Sequence, residues 1–106
     1  MLTFQELSLR LTEFWNPLVE RCGVITPNGV IELQNNHPQP DLGFRISKTD
    51  FPEDTSATWH THPSGMANLS TPDYCLFLLL PDLDHYIVAE NVVWKYYVKD
   101  NKVFLQ

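Results

Sequence analysis

The segment "WHTHPSGMANLSTPDY", residues 59–74, constrains the fold more than any other stretch of this chain. The residues of "ATWHTH" alternate in character, and this pattern predicts a β-strand that carries two histidines at its end. Proline and glycine then interrupt regular structure, so "PSGMANLS" is predicted to be a loop. Ser70 or Thr71 can cap a helix that begins near Pro72, a residue that suits the first helical turn. We therefore expect a strand, a loop and a helix in direct succession.

This arrangement brings together side chains that can bind a metal ion. Alternate residues of a strand face the same side, so His60 and His62 project together and can bind one ion at roughly 2.0–2.1 Å. Asp73 lies in the first helical turn, where the helix dipole favours a carboxylate. Three protein ligands with a fourth position left for water are typical of catalytic zinc, which lowers the pKa of the bound water to about 7.

Hydrolysis of a peptide bond by such a site needs two further groups. One is a carboxylate that accepts a proton from the water and passes it to the leaving amine. The other is a hydrogen-bond donor that stabilises the oxyanion, and Ser70 can be that donor. Composition and spacing leave the identity of the carboxylate open.

The segment "HTHPSGMANLSTPD" resembles the metal motif of the JAMM metalloproteases, also called MPN+ or Mov34-type. The family pattern is His-x-His-Pro, six residues, then Ser-x-x-Asp, with a glutamate upstream. This resemblance implies a zinc metallopeptidase with one Zn²⁺ per chain. His60, His62 and Asp73 would hold the metal, and Ser70 would stabilise the tetrahedral intermediate.

The upstream glutamate of the family stands at the start of a strand, just before a Cys-Gly or similar pair and an apolar run. The segment "VERCGVIT" is similar to this pattern and implies that Glu20 is the general acid/base. Glu32, in "VIELQ", is the alternative.

Within the family, the chain is most similar to the compact domain of tail-tip assembly proteins of long-tailed phages. "ERCGVI", "FRIS" and "HTHPSG" carry this similarity. It implies a protein or peptide substrate and phage tail proteins as partners. The chain departs from that pattern because a following cell-wall hydrolase domain is absent and the segment between "FRIS" and "WHTHP" is short. It also lacks the long insertions with which eukaryotic members grip ubiquitin.

The other elements predict an α/β fold in one domain, residues 1–106, with a single mixed sheet packed with helices. The resemblance implies the JAMM/MPN, cytidine-deaminase-like architecture. Thr3 and Glu6 form a capping box for a first helix that ends or kinks at Asn16-Pro17. Its buried face is predicted to comprise Phe4, Leu7, Leu11, Phe14, Trp15 and Leu18.

Strands are expected on both sides of the histidine segment. "CGVIT" and "VIELQ" form a hairpin around Asn28-Gly29, and "GFRIS" is a short strand. The tail "HYIVAENVVWKYYVKDNKVFLQ" predicts two or three antiparallel strands. Their turns are expected near Glu90-Asn91 and Asp100-Asn101.

Composition excludes several classes of function. The net charge is −6 and no basic run occurs, which disfavours nucleic acid as a partner. No apolar run approaches the roughly 20 residues of a membrane span, and no signal peptide is visible. We therefore expect a protein made in the cytosol, or for a phage protein in the host cytosol and the virion tail. Cys22 and Cys75 are predicted to be small buried hydrophobic residues.

Other functions compete with the peptidase hypothesis. A zinc deaminase needs H-x-E and P-C-x-x-C, and a zincin needs H-E-x-x-H, none of which is present. A non-catalytic scaffold and a hydrolase of peptidoglycan cross-link peptides stay open. We interpret His37 and His85 as ordinary polar residues and Trp59 as a core or pocket-wall residue.

Overall fold

A computed structural model describes residues 2–66 and 68–106 of the chain. The described residues form two α-helices, six strands and one short 3₁₀ turn at Lys48–Asp50. The helices and strands are, in chain order, α1 (Phe4–Thr12), β1 (Cys22–Thr26), β2 (Gly29–Leu33), β3 (Ala57–Thr61), α2 (Thr71–Leu79), β4 (Asp84–Val88), β5 (Val93–Lys99) and β6 (Lys102–Leu105).

All six strands belong to one sheet in the order β2-β1-β3-β4-β5-β6. Neighbouring strands are antiparallel except β3 and β4, which are parallel and pair His60 with Ile87. Parallel neighbours need a crossover connection, and α2 supplies it here. The position of α2 after β3 is therefore a consequence of the sheet topology, and it brings the helix N-terminus to the end of β3.

Each face of the sheet is covered by one helix. On the first face, Leu7 and Leu11 of α1 pack in a cluster with Trp59 of β3 and Tyr86 of β4. On the second face, Phe77 of α2 packs with strand residues in a separate cluster, whose other buried members are Ile87, Ala89 and Tyr96. The central strands β1 and β3 are buried along their whole length because both faces are covered.

Most sequence predictions of the fold are confirmed. The α/β class, the single mixed sheet, the hairpin of β1 and β2, the β3 strand and the three antiparallel strands of the tail are all present. The turns of the tail include positive φ angles at Asp100 and Asn101, as expected for that connection. The loop between β3 and α2 is also present, although Ala67 within it lies outside the described residues.

The predicted strand "GFRIS" is wrong, because residues 43–47 form an extended segment outside the sheet. The backbone N–H of Arg45 donates a hydrogen bond to the side-chain Oδ1 of Asn35 at 3.0 Å. The Arg45 carbonyl accepts a hydrogen bond from the N–H of Asn36. The N–H of Arg45 is therefore bonded to a side-chain amide and not to the carbonyl of a neighbouring strand, so this segment forms no regular strand ladder.

The predicted extent of the first helix is also wrong. The capping box of Thr3 and Glu6 is present, but α1 ends at Thr12 and not at Asn16-Pro17. Beyond this point the backbone hydrogen bonds span three residues and not four. The N–H of Phe14 donates to the carbonyl of Leu11, and the N–H of Trp15 donates to that of Thr12. In the predicted buried face, Phe4 is 51% exposed and Leu18 is 75% exposed. Of the two cysteines predicted to be buried, Cys22 is buried but Cys75 is exposed.

Candidate metal centre

Strand β3 and the residue after it position the two histidines. His60 is fully buried on the α2 face, with its ring 4.3 Å from the ring of Phe44 and 6.3 Å from that of Phe77. His62 follows two residues later and is more accessible. Their Nε2 atoms lie 3.1 Å apart, so the two imidazoles converge on one point, as the alternation along the strand predicts.

The first turn of α2 positions Asp73 against both histidines. Ser70 is the N-cap residue: its hydroxyl accepts a hydrogen bond from the Asp73 N–H, and its own N–H donates to Asp73 Oδ2. Asp73 Oδ1 lies 2.9 Å from His60 Nε2, and Oδ2 lies 3.1 Å from His62 Nε2. The capping box thus fixes a carboxylate whose two oxygens each face one imidazole.

Glu20 lies close to the two histidines. It stands just before β1, and its backbone N–H donates to the Pro40 carbonyl at 2.7 Å. One possible ligand atom from each of Glu20, His60 and His62 lies within 4.8 Å of the others. The structure therefore brings together the five predicted residues: Glu20 and Asp73 each lie near the histidines, and Ser70 is bonded to Asp73.

The alternative carboxylate, Glu32, is engaged elsewhere. Its two oxygens accept hydrogen bonds from Nε and Nη2 of Arg21, each at 2.6 Å. This two-pronged ion pair lies on the β1–β2 side of the sheet, and Glu32 is outside the group of potential ligands among the described residues. Glu20 is the carboxylate beside the histidines.

The environment of Glu20 suits proton transfer. Burial raises the pKa of Glu20 to about 7. The attraction of His62 opposes this shift, and the negative charge of Asp73 adds to it. A carboxyl group with this pKa can both accept and release a proton at neutral pH.

His60 and Asp73 have the protonation states that metal binding requires, whereas His62 holds its proton more tightly than a free imidazole. Burial lowers the pKa of His60 and keeps the imidazole neutral. Burial alone would raise the pKa of Asp73, but hydrogen bonds from His60 and His62 outweigh it and hold this pKa well below its usual range. For His62, burial is outweighed by hydrogen bonds to Asp73 and the Met66 carbonyl, which raise its pKa. A metal ion that binds His62 would have to displace the proton between His62 Nε2 and Asp73.

The spacing of these atoms fits one tetrahedral ion. Ligand atoms at roughly 2.0–2.1 Å from a tetrahedral zinc lie about 3.3 Å from one another. The two Nε2 atoms lie 3.1 Å apart, and each lies 2.9 or 3.1 Å from the nearer oxygen of Asp73. Imidazole nitrogens and a carboxylate oxygen are the ligand types that zinc binds, so this donor set suits a cation.

Two neighbouring groups orient His62. Its Nδ1 lies 2.8 Å from the Met66 carbonyl, which accepts the Nδ1 proton and leaves Nε2 free to face the cluster. The indole N–H of Trp15 donates to the His62 backbone carbonyl at 2.8 Å. By contrast, His60 Nδ1 is buried and has no hydrogen-bond partner among residues 2–66 and 68–106.

A cavity of about 570 Å³ opens beside the cluster. Its lining includes Glu20, His62, Ser70 and Asp73, and also the segment 41–46. The Ser70 hydroxyl accepts the bond from Asp73, so its own proton can be donated to a group in this cavity. The cavity therefore borders the candidate centre directly.

The remaining histidines and the tryptophan differ in their surroundings. Trp59 is fully buried, as predicted for a core residue, and His85, interpreted from the sequence as an ordinary polar residue, is fully buried too. The Trp59 ring lies tilted against the ring of Phe14, and its indole N–H donates to the Ile31 carbonyl at 3.3 Å. His37, interpreted from the sequence as an ordinary polar residue, lies on the cavity wall.

Sequence reasoning missed three residues around the site. Phe44 covers the His60 ring, Trp15 holds the His62 carbonyl, and Asn35 connects Glu20 to the cavity wall. Trp15 and Phe44 were assigned to a helix face and a strand, and nothing in the local pattern around Asn35 indicates its role. Only the tertiary structure brings these residues to the site.

Comparisons with known proteins support the fold. Neither a protein-family model nor a curated protein matches the chain at a significant level. The chain is similar to the solution structure of protein DSY2949 from Desulfitobacterium hafniense, with a TM-score of 0.73 and 16% sequence identity. The match covers 96% of this chain and 86% of that one. At this identity the similarity concerns the α/β fold alone. Within residues 2–66 and 68–106, no helix is long and apolar enough to cross a membrane.

His85 predicts a pH dependence of stability. Burial lowers the pKa of His85 to about 4, and its ring is bonded to Thr58 and the Leu80 carbonyl. An unfolded histidine has a pKa of about 6.5, so the unfolded chain binds more protons between these values. The stabilisation is complete above pH 6.5 and is lost as the pH falls toward 4.

We expect His85 to account for a loss of about 3 kcal/mol in unfolding free energy over that window. Urea denaturation with a metal chelator present, at pH 7 and pH 4, measures it. His85→Gln should reduce the difference between the two pH values by a similar amount. Equal pH differences in the variant and the wild type would contradict this prediction.

Proposed function

We propose that this protein is a zinc-dependent metallopeptidase of the JAMM/MPN+ type that hydrolyses a peptide or isopeptide bond. The convergence of Glu20, His60, His62 and Asp73 beside an open cavity carries this proposal. The α/β topology, with a crossover helix that delivers Asp73 to the end of β3, is compatible with the JAMM/MPN, cytidine-deaminase-like architecture.

His60, His62 and Asp73 would hold the zinc ion. The ion supplies Lewis-acid polarisation and a water of lowered pKa when it is bound. Asp73 is the third ligand in this proposal because its oxygens lie 2.9 and 3.1 Å from the two imidazoles, and its place in the capping box keeps it there. Glu20 then remains free for proton transfer.

Glu20 and Ser70 would act on the substrate. A carboxylate oxygen of Glu20 takes a proton from the attacking water and delivers it to the leaving nitrogen, which its pKa of about 7 permits in both directions. The Ser70 hydroxyl donates a hydrogen bond to the carbonyl oxygen of the scissile bond as negative charge develops there. Both side chains line the same cavity.

The biological setting that we propose is phage tail assembly or processing, in the host cytosol or in the virion tail. This setting rests on the resemblance of "ERCGVI" and "HTHPSG…LSTPD" to the compact domain of tail-tip proteins. A tail protein or a cross-linked peptide of the cell wall is then a substrate to test. If the protein binds zinc but cleaves neither the tail protein nor the cell-wall peptide, it is a scaffold without catalytic activity.

The metal centre predicts a zinc content near one ion per chain. His60→Ala/His62→Ala removes both nitrogen ligands, and we expect this variant to retain less than about one tenth of the zinc. Elemental analysis after dialysis against a weak chelator measures the content. His37→Ala is the matched control, because His37 lines the cavity but does not belong to the cluster.

Zinc-free wild-type protein that folds but cannot be reloaded would contradict the metal centre. Equal zinc contents in the double variant and the wild type would place the metal elsewhere.

The role of Glu20 predicts that Glu20→Gln keeps zinc and fold but loses turnover. The amide cannot accept a proton, and loss of a general base lowers rates by roughly 10²–10⁴-fold. Hydrolysis of a pool of internally quenched peptides and of glycyl-lysine isopeptides, with zinc content measured in parallel, tests this. Glu32→Gln is the matched control, since it changes the alternative carboxylate on the neighbouring strand.

Full activity of Glu20→Gln, or loss of activity in Glu32→Gln alone, would overturn the assignment of the base to Glu20.

A further inference from the structure

Asn35 uses its complete hydrogen-bonding capacity in one place. Its Nδ2 donates to the Glu20 carbonyl at 2.9 Å and to the Gly43 carbonyl at 3.0 Å. Its Oδ1 accepts the backbone N–H groups of His37 and Arg45, both at 3.0 Å. A primary amide has two donor protons and two acceptor lone pairs, so no capacity is left over.

This network fixes the orientation of the amide. Two carbonyls require the NH₂ group, and two N–H groups require the oxygen, so the reversed amide would place like groups against each other at all four contacts. Asn35 is only partly buried, so water could have satisfied the hydrogen bonds of its side chain. Four simultaneous backbone contacts indicate a side chain that holds other segments in place.

The backbone of Glu20 depends on this segment because Glu20 lies outside the sheet. Its neighbour Arg21 is tied to the end of β3 through Thr61, and the ladder of β1 begins only at Cys22. At Glu20 itself, the N–H is bonded to Pro40 and the carbonyl is bonded to Asn35. Both backbone polar groups of Glu20 are therefore held by residues 35–40.

The other contacts of Asn35 reach further residues that line the cavity. Gly43 and Arg45 belong to this lining, and the ring of Phe44 between them stacks on the His60 ring. His37 also lines the cavity. One side chain thus joins Glu20 to the segment 43–45, and both line the same cavity.

We propose that Asn35 is a positioning residue that sets the distance between the Glu20 carboxyl and the zinc ligands and fixes the cavity wall at residues 43–45. Asn35 does not touch His60, His62 or Asp73 in any described contact, so it acts through Glu20 and the segment 43–45. This inference rests on the proposed peptidase function for its kinetic consequence, but its structural part can be tested without a substrate.

Asn35→Asp is the sharpest variant. The carboxylate keeps the acceptor for His37 and Arg45 but loses both donors, so it faces the carbonyls of Glu20 and Gly43 with a like charge. Asn36→Asp is the matched control: it adds the same charge one residue away, on an exposed side chain that makes no described hydrogen bond. Thermal unfolding verifies that both variants are folded at the assay temperature.

With the quenched-peptide pool, we expect Asn35→Asp to lower kcat/KM at least ten-fold, since a small misplacement of a reacting group costs up to about 10²-fold. Its zinc affinity, measured by competition with a chelator, should stay within about three-fold of the wild type because the metal ligands lie on β3 and α2. A merely structural role would weaken zinc binding and activity together. Asn36→Asp should match the wild type in both measurements.

Amide hydrogen exchange keeps the inference testable if the wild type cleaves none of the peptides. In the wild type, the side-chain NH₂ protons of Asn35 should exchange at least ten-fold more slowly than those of Asn36. In Asn35→Asp, exchange of the Glu20 N–H should accelerate at least ten-fold while that of Trp59 in β3 is unchanged.

Equal exchange of the two asparagine side chains, or an unchanged Glu20 N–H in the variant, would overturn the inference whether or not the protein is a peptidase. If Asn35→Asp does not fold, the comparison of Asn35 with Asn36 in the wild type still decides it. An inactive wild type with protected Asn35 protons would count against the proposed function alone.

Discussion

The contact of the Asp73 carboxylate with His60 and His62 is the interaction on which the site depends. The same carboxylate closes the N-terminus of α2 through the capping box with Ser70. One oxygen, Oδ2, therefore serves helix formation and the cluster together. Because α2 is the crossover between β3 and β4, the start of the helix must follow the end of β3, where the histidines lie. The helix cap at Ser70 and the crossover from β3 to β4 therefore both act to hold Asp73 beside the histidines.

Burial gives these groups their chemical character. His60 lies between Phe44 and Phe77, which exclude water and favour a neutral imidazole. Glu20 is partly buried near the negative charge of Asp73, and its carboxyl has a pKa near neutrality. Two carboxyl groups in one small site therefore differ in protonation: Asp73 stays ionised, while Glu20 can exchange a proton near neutral pH. This division supports separate roles, with Asp73 as a ligand and Glu20 as the proton carrier.

The parts of the structure that depend on short-range patterns could be predicted from the sequence. The alternation of "ATWHTH", the "STPD" helix start and the Asn28-Gly29 turn each have a local physical cause, and they placed His60, His62, Ser70 and Asp73 correctly. Glu20 was assigned from a resemblance, and its distance from the histidines depends on tertiary contacts. "GFRIS" was predicted to be a short strand, but whether such a segment joins a sheet depends on a partner edge. Here the Asn35 side chain takes that position.

The measurement that tests this account most directly is anomalous X-ray scattering at the zinc absorption edge, from crystals of the protein grown with zinc. The account predicts one ion bonded at roughly 2.0–2.1 Å to Nε2 of His60, Nε2 of His62 and an oxygen of Asp73, with Glu20 outside the bonding distance. An ion bound by Glu20 in place of Asp73 would contradict the division of roles between the two carboxylates. The absence of any ion at the two histidines would contradict the metal centre itself.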